Sequence, residues 1–524
     1  MQKLSYYVGI MHTYKPLRTV VVVALSLLII LTPLLSSQEA AANASVNIKQ
    51  LTTRMEQAAQ SKKWNMAATY AKQIAVYYDQ ARKYYDAAHY YDLTARYWEA
   101  YGQPNWGIVN TIRADHVRTV VDTYIEVRAD QDRELEKFEP LAGVYAGLYP
   151  AGSEDRGDPR SSLEAMGQKH ALYLTYAHWR RGYPETESVF PIPYAERAIE
   201  AGGALQVAWE PSNGLSDVKD DAYVRQFARE ANALGVPIFL RFAGEMNGEW
   251  VPWYDDPETY IEKFRLIHDI MEEEAPNVAM VWSPNFLPRH NIAPYYPGDD
   301  YVDWVGFSLY TIPYSQGEEK LGGNPIDYLY PLYQQYAHKP IMISEGAVSF
   351  MSYELQRDYT EWALGQLDNM YAYMPRIFSQ VKAITYFNLD KMTTNYDNQN
   401  NNYDLYAREE MLSKYKKLIA KPYYVKEVKD GATNRRSVQY IPLSEHSGTK
   451  GQVQLFTYVK LPLGQQPYAV HLYDGDGKLL KRAYAAPFDM SIDFSQLPQS
   501  GKLIVKVLDE TFKVLHTQDI PYQQ

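Results

Sequence analysis

The chain has 524 residues, with 52 Lys and Arg against 63 Asp and Glu, a formal charge of −11, and no cysteine. Its 46% hydrophobic and 22% charged residues exclude wholesale disorder, and at roughly 100–200 residues per domain the length predicts two to four domains. The acidic balance argues against nucleic acid as a partner, and the absence of cysteine excludes disulfides, thiolate metal sites and thiol nucleophiles.

Residues 1–44 have the three-part layout of a secretory signal. Three basic residues and no acid precede an apolar run, Thr19–Leu35, and a small-x-small site, Ala42-Asn43-Ala44, follows it. This pattern predicts cleavage before Ser45, and an uncleaved N-terminal membrane anchor is the alternative. Either outcome predicts a secreted or extracytoplasmic protein.

Residues 46–139 have a helical pattern, with neither Gly nor Pro between Leu51 and Tyr101. Large aromatic residues recur every seven positions, and mostly alanine lies four positions after each of the first four, which predicts close packing of helices in an a/d pattern. A turn at Ser61–Asn65 would instead give helical hairpins of the tetratricopeptide kind. The aromatic series is Tyr70, Tyr77, Tyr84, Tyr91 and Trp98. A packed structural module is the simplest interpretation, and a peptide- or envelope-binding module is the alternative.

Residues 140–421 alternate short apolar runs with helical stretches, and eight such repeats predict a (β/α)8 barrel, in which reactive groups lie at the C-terminal ends of the strands. The predicted strands are Ala142–Leu148, Ala171–Tyr176, Ala204–Trp209, Pro237–Phe242, Val278–Val281, Tyr301–Ser308, Pro340–Ser344 and Lys382–Phe387. The barrel therefore directs the search for catalytic residues to these strand ends.

Residues 423–524 change to period-two alternation, which predicts a small β-sandwich. Asp474-Gly475-Asp476-Gly477 is typical of a hairpin turn. It resembles the start of a calcium loop but lacks the later ligands and the closing Glu, so calcium is not expected. The domain is interpreted as a spacer or stabiliser, with a carbohydrate-binding module as the alternative.

Two glutamates end predicted strands. Glu245 follows the fourth strand, and Glu345 follows the seventh. Hydrolysis of a glycosidic bond needs two carboxyl groups on either side of it, one kept protonated and one kept ionised. Trp250 and Trp253 come soon after Glu245, and Arg241 precedes it by four residues as a candidate hydrogen-bond donor.

Other chemistries have weaker support. Glu210, at the end of the third strand, is a third candidate carboxylate, interpreted as a subsite or structural residue. The 11 histidines include no HExxH motif, and there is no P-loop, no G-x-G-x-x-G after a strand and no G-x-S-x-G elbow. No metal or cofactor is predicted.

Four segments together resemble glycoside hydrolase family 26, whose members are mostly endo-β-1,4-mannanases with lichenase and β-1,3-xylanase relatives. The resemblance covers roughly residues 140 to 420, in the family's order. The segments are Arg241-x-x-Gly-Glu245-Met246-Asn247-Gly248-x-Trp250, Val281-Trp282-Ser283-Pro284-Asn285, Tyr296-Pro297-Gly298-Asp299 with Val302-Asp303-Trp304-Val305-Gly306, and Ile343-Ser344-Glu345.

The resemblance implies a retaining mechanism in which Glu245 is the proton donor and base and Glu345 is the nucleophile. It implies that Tyr310 orients Glu345. The expected substrate-binding residues are Arg241, Trp250, Trp253, Trp282, His178 and Phe387.

Two departures from the family pattern bear on specificity. Gly244 occupies the position of a histidine that usually precedes the acid/base, and Tyr386-Phe387-Asn388 replaces a tryptophan at the end of strand eight. Both positions line the site next to the cleaved bond in the family. An Asn-rich loop, Asn395–Asn402, is expected either to bind sugar hydroxyls or to be a surface loop.

Two functions follow as hypotheses. The first is a secreted, retaining endo-hydrolase of a polysaccharide with β-linkages, of the mannan type or from a bacterial exopolysaccharide. The second is a non-catalytic protein that binds glycan or cell envelope on a degenerate barrel.

Overall fold

The computed structural model describes residues 47–130, 133–179, 188–315, 317–394, 401–429 and 436–524. The predicted signal segment and most of the Asn-rich loop lie outside the described residues. Within those residues, no helix combines the length and apolar character needed to cross a membrane.

The N-terminal module consists of four helices in a repeat of about 20 residues. They are α1 (47–60), α2 (Trp64–Gln80), α3 (Tyr84–Ala100) and α4 (Pro104–Val117). Each of the three turns has one residue in the left-handed region, Lys62, Arg82 or Gly102, with φ of 54°, 56° and 82°. In each turn the next amide donates to a carbonyl five residues back at 2.8 Å, the bond of a Schellman motif.

The turn predicted at Ser61–Asn65 is therefore confirmed, and the aromatic series with its a/d pattern does not lie on one continuous helix. The series breaks at the second turn, where Ala81 is exposed and Tyr84 begins a new helix. Alanine still lets α2 approach its neighbours closely, because Ala67, Ala71 and Ala75 are fully buried.

The next element corrects the helical prediction for residues 46–139. Strand β1 (Val120–Asp130) follows α4 and pairs with strands near the C-terminus. Val121, Thr123 and Ile125 are β-branched and buried at alternate positions, which is the period of a strand with one face in the core rather than of a helix. The N-terminal region thereby contributes one strand to a C-terminal sheet.

The central region is a closed parallel barrel, which confirms the predicted (β/α)8 fold. Its last strand pairs with its first, with Ala383 opposite Tyr145 and Phe387 opposite Tyr149. The strands are β2 (Val144–Pro150), β3 (Leu172–His178), β4 (Ala204–Glu210), β5 (Ile238–Phe242), β6 (Val278–Trp282), β7 (Trp304–Thr311), β8 (Ile341–Val348) and β9 (Val381–Asn388).

Helices surround the barrel and bury one apolar face each against it. They are α5 (Pro159–Met166), α6 (Ile192–Glu200), α7 (Ala222–Ala233), α8 (Pro257–Glu274), α9 (Pro325–Tyr336), α10 (Thr360–Asp368), α11 (Met374–Ile377) and α12 (Glu409–Ile419). A π-helical turn, Asn369–Tyr373, joins α10 to α11. The loops after β7 and β8 contain two-residue strands, among them Tyr314–Ser315 and Glu318–Glu319.

The C-terminal region forms two antiparallel sheets of four strands each. Its strands are β10 (Arg436–Pro442), β11 (Gln452–Lys460), β12 (Ala469–Tyr473), β13 (Leu479–Ala483), β14 (Met490–Asp493), β15 (Ser500–Leu508) and β16 (Val514–Gln523). One sheet has the order β10-β1-β11-β14 and the other β13-β12-β15-β16. The hairpin predicted at Asp474-Gly475-Asp476-Gly477 is present between β12 and β13.

Candidate active site

The end of β5 presents Glu245 on strained backbone. Ala243 and Glu245 both have positive φ, 46° and 59°, a conformation that costs a non-glycine residue free energy and that clusters at functional sites. The Glu245 amide donates to the carbonyl of Ser283 at 2.8 Å, and the indole of Trp253 donates to the carbonyl of Gly244 at 2.8 Å. These bonds hold the Glu245 carboxylate at the mouth of the barrel.

The end of β8 presents Glu345 through a break in the strand register. Ile343 pairs with Phe307 and Glu345 pairs with Ser308, so Ser344 is the extra residue of a β-bulge. Bulges redirect side chains, often beside active sites. Ser344 consequently reaches the Ser283 hydroxyl at 2.7 Å inside the barrel while Glu345 faces the mouth.

Arg241 connects the two carboxylates from the interior of the barrel. Its Nη1 donates to Glu345 Oε2 at 2.6 Å, and its Nη2 lies 3.7 Å from Glu245 Oε1. Its remaining donors reach Ser283 Oγ at 2.9 Å and Ser308 Oγ at 2.7 Å. Each nitrogen of this buried guanidinium has a partner, so one rigid group contacts both carboxylates.

Glu345 is kept ionised by its surroundings. Burial alone would raise its pKa, but the Arg241 guanidinium and hydrogen bonds from the Tyr176 and Tyr310 hydroxyls hold the pKa below the usual value for a glutamate. Burial and the Glu345 charge raise the pKa of both tyrosines, so both remain protonated donors. Glu345 is therefore an anion with three strong donors.

Glu245 lies in a different setting. Its Oε2 accepts from the indole of Trp250 at 2.7 Å, and its Oε1 accepts from the Asn285 amide at 3.1 Å. Asn285 is itself held by Asn247, whose Oδ1 accepts from the Asn285 backbone at 2.8 Å. Trp250 is 54% exposed, so one side of this carboxylate borders an open aromatic ring.

An aromatic wall lines the Glu345 side of the site. Phe387 stacks on Tyr149 with ring centroids 4.7 Å apart and meets the Tyr310 ring edge-on at 5.9 Å. The ammonium of Lys391 lies 5.2 Å from the ring centres of both Tyr310 and Phe387. Burial lowers the pKa of Lys391, although Glu345 and Glu245 oppose this. A second cation thus lies beside Tyr310 and Phe387, on the Glu345 side of the candidate site.

Glu210 and His178 form a pair beside these groups. Glu210 ends β4, and its Oε2 lies 3.3 Å from His178 Nδ1. Burial raises the pKa of Glu210 to about 7, with Arg241 acting against the shift and the Glu345 and Glu245 charges adding to it. The third carboxyl is therefore partly protonated at neutral pH and is electrostatically coupled to the other two.

Gly244 leaves no room for the family histidine. A Cβ atom at this position would lie 2.6 Å from Arg241 Nε and 2.9 Å from its Cζ. Any side chain here would displace the guanidinium that joins the carboxylates. Glycine in place of the family histidine therefore goes together with the position that Arg241 occupies in this site.

Two predicted substrate-binding residues lie elsewhere. Trp282 is 0% exposed and packs against Tyr296 and Tyr336, and Trp253 is 4% exposed beneath Gly244. Neither ring offers a face to a sugar, which corrects the prediction that they contact substrate. Trp282 ends a buried strand and Trp253 follows one closely. Their positions in the sequence motifs therefore do not show whether each ring packs inside the protein or contacts the substrate.

The structure also adds residues that the sequence did not indicate. Tyr176, near the end of β3, could have been found by the strand-end rule, because it occupies the same edge as the glutamates. Lys391 lies in the loop after β9 and carries no motif. Among the described residues, no group of three or more His, Asp or Glu is arranged to hold a metal ion.

This geometry suits a displacement carried out by two carboxylates. One is ionised and buried among fixed donors, and the other borders an exposed aromatic ring. A single guanidinium contacts both, which favours a short separation between them. Such a pair can attack an electrophilic carbon from one side and exchange a proton with the departing oxygen on the other.

The sequence matches known proteins across the barrel. Residues 212–321 match the family model of glycosyl hydrolase family 26. Endoglucanase H from Acetivibrio thermocellus is 29% identical over 268 residues, 48% of this chain and 28% of that protein. Beta-1,3-xylanase TXYA from a Vibrio species is 34% identical over 137 residues, 25% of this chain and 28% of that protein. The chain thus spans little more than a quarter of the length of these relatives.

The solved structures that the chain matches are more distant in sequence. A GH26 beta-mannanase from Bacteroides ovatus is 14% identical with a TM-score of 0.39, covering 55% of this chain and 92% of that one. GH26C from a Muricauda species is 16% identical with a TM-score of 0.42, covering 56% of this chain and 89% of that one.

Proposed function

The chain belongs to glycoside hydrolase family 26 through its barrel segment 212–321, and on that premise we propose that it hydrolyses β-linkages of a polysaccharide by a retaining double displacement. The observation that carries the proposal is the joint contact of Arg241 with Glu245 and Glu345. The preserved carboxylates also argue against the alternative of a non-catalytic binder.

Glu345 is the nucleophile in this mechanism. Its lowered pKa keeps it ionised at neutral pH, and its carboxylate attacks the anomeric carbon as the bond to the leaving oxygen breaks. The Tyr176 and Tyr310 hydroxyls and Arg241 fix the carboxylate in one orientation. The product of this step is a covalent glycosyl ester on Glu345.

Glu245 is the proton donor and then the base. It protonates the departing glycosidic oxygen, takes the proton back from a water molecule, and that water releases the sugar from Glu345. Trp250 and Asn285 hold the two oxygens of Glu245 in place. The exposed ring of Trp250 gives the leaving sugar an apolar face to stack on.

The substrate proposed is a polysaccharide cleaved at internal linkages, with mannan-type β-1,4 linkages first and bacterial exopolysaccharide as the alternative. The matched relatives are described as an endoglucanase and β-1,3-xylanases. We also propose an extracytoplasmic location from the layout of residues 1–44, because polymers of this size are met outside the cell.

The test uses the variant Glu345→Gln, which keeps the shape of the side chain but cannot form the ester. Turnover on a panel of β-mannan, β-glucan, β-xylan and bacterial exopolysaccharides should fall by at least about a thousandfold. Glu164→Gln, on the exposed face of α5, serves as the matched control and should leave turnover unchanged.

The stereochemistry is tested separately by NMR of the first product. A retaining enzyme releases the β-anomer, which then mutarotates. Initial release of the α-anomer would overturn the double displacement, and unimpaired turnover by Glu345→Gln would overturn the nucleophile. Absence of turnover on every polymer by the native protein, with binding retained, would favour the non-catalytic alternative.

A further inference from the structure

Helix α4 of the N-terminal module lies against the catalytic face of the barrel. Near its start, the Asn105 amide lies 3.4 Å from His290 Nε2. Further along, Arg113 lies 3.6 Å from Glu318. His290 and Glu318 belong to the loops that follow the C-terminal ends of β6 and β7. The helical module is therefore a wall beside the mouth of the barrel.

The His290 loop is directly connected to the acid/base. Asn291, next to His290, donates to the carbonyl of Asn247 at 3.0 Å. Asn247 in turn holds Asn285, whose amide contacts Glu245. The start of α4 is thus separated from the Glu245 carboxylate by a short series of hydrogen-bonded loop residues.

Exposed aromatic rings cluster where α3 ends and α4 begins. Trp106 is 55% exposed and Tyr101 is 50% exposed. Trp98 supports both, meeting Trp106 edge-on with centroids 4.5 Å apart and Tyr101 at 5.9 Å. Rings packed edge to face leave flat faces open, and an open indole face is a suitable surface for the apolar face of a sugar ring.

We propose that Trp106 and Tyr101 form a distal subsite that binds the polysaccharide beyond the catalytic pocket, an inference that rests on the proposed function for the identity of the polymer. The occupant is the same glycan chain that Trp250 and Glu245 engage. It leaves the pocket past the His290 loop and reaches the helical module. The contact of Asn105, near the start of α4, with His290 supports this path. The exposure of Trp106 supports its contact with the glycan.

The experiment replaces Trp106 by Ala and compares long and short substrates. Tyr85→Ala is the matched control, since Tyr85 is 89% exposed on the same module but lies at the start of α3, about 24 Å along the helix axis from Tyr101 at 1.5 Å per residue. With polymer, Trp106→Ala should raise apparent KM about tenfold, as expected for removing one anchoring aromatic ring. With an aryl glycoside too short to reach α4, both kcat and KM should stay within twofold of the native values.

Binding is measured independently of turnover by affinity electrophoresis in polysaccharide gels, using Glu345→Gln with and without Trp106→Ala. If the polysaccharide slows the migration of the double variant less than that of Glu345→Gln, the subsite is supported even where no hydrolysis is found. A failure of the catalytic proposal is therefore distinguished from a failure of the subsite. Unchanged polymer KM and unchanged retardation overturn the subsite, as does an equal loss with the short substrate. Tyr101→Ala, at the exposed residue directly after α3, provides the same readouts if Trp106→Ala does not fold.

Discussion

Removal of one hydroxyl from Tyr176 tests the account of how Glu345 is kept ionised. The variant Tyr176→Phe retains the ring, which packs against Tyr149 with centroids 5.3 Å apart, and loses only the bond to Glu345 Oε2. Arg241 and Tyr310 remain as donors to the same carboxylate.

The magnitude follows from the nature of this bond. A hydrogen bond to a charged group contributes about 1.5–3 kcal/mol, and one pKa unit corresponds to about 1.4 kcal/mol. The pKa of Glu345 should therefore rise by about 1–2 units in Tyr176→Phe. Because Glu345 must be ionised to attack, the acid limb of the kcat/KM profile should move up by the same amount, with little change at the pH optimum.

The assay is kcat/KM on the best polysaccharide of the panel between pH 3 and pH 9, which reports ionisation in the free enzyme. Tyr403→Phe is the control, since the Tyr403 ring lies in the same cluster, 5.3 Å from that of Tyr310, and its hydroxyl is not among the donors to Glu345. An acid limb that stays in place in Tyr176→Phe, or moves equally in Tyr403→Phe, would refute the reasoning.

Three further predictions concern stability and the shape of the site. The pKa of Glu210 is about 7 in the folded protein against an ordinary 4.5, so Glu210 contributes stability that is present below about pH 4.5 and lost as the pH rises through 7. Glu210→Gln lacks this titration, so its unfolding free energy relative to the native protein should increase by up to about 3 kcal/mol between pH 4 and pH 8. Urea unfolding of both proteins at the two pH values measures the difference. Gly244→Ala should lower kcat at least tenfold by displacing Arg241, whereas Gly475→Ala, where a Cβ meets only ordinary contacts, should not; equal kcat values would contradict the clash. Ile125→Ala, at a position 2% exposed in β1, should lower the unfolding free energy by about 2–5 kcal/mol. A loss as small as that of a surface substitution, about 0.5 kcal/mol or less, would mean that β1 does not contribute to stability.

Local sequence was sufficient for the barrel strands because each is an apolar run bounded by turn residues. The predicted runs fall within three residues of the observed strand starts, and both glutamates lie at the predicted edge. Glu245 and Glu345 were found without any contact information, since parallel strands bring their C-terminal ends to one face. Arg241 was found by its position four residues before Glu245.

Other features depend on contacts that span the chain. Tyr176 and Glu345 are 169 residues apart, and nothing local to either marks the bond. Trp282 ends β6 and Trp253 follows β5 as Trp250 does, and only packing shows that the first two are buried while Trp250 is exposed. Strand β1 pairs with strands more than 300 residues further along the chain.

The tyrosines show the same division between what the sequence indicates and what the tertiary structure decides. Composition shows 48 tyrosines, and their spacing in the N-terminal region indicates helices. Their roles differ by position, however. Tyr91 packs α3 against its neighbours, Tyr101 is exposed beside α4, and Tyr176 and Tyr310 donate to the nucleophile.

The sequence by itself determined a closed barrel with two carboxylates at its mouth, because strand periodicity and strand-end position are local properties. Tertiary structure decided which aromatic rings face solvent, how one guanidinium joins Glu245 to Glu345, and where the helical module lies. Those features depend on burial and on distances between residues far apart in the chain, and local patterns do not encode either.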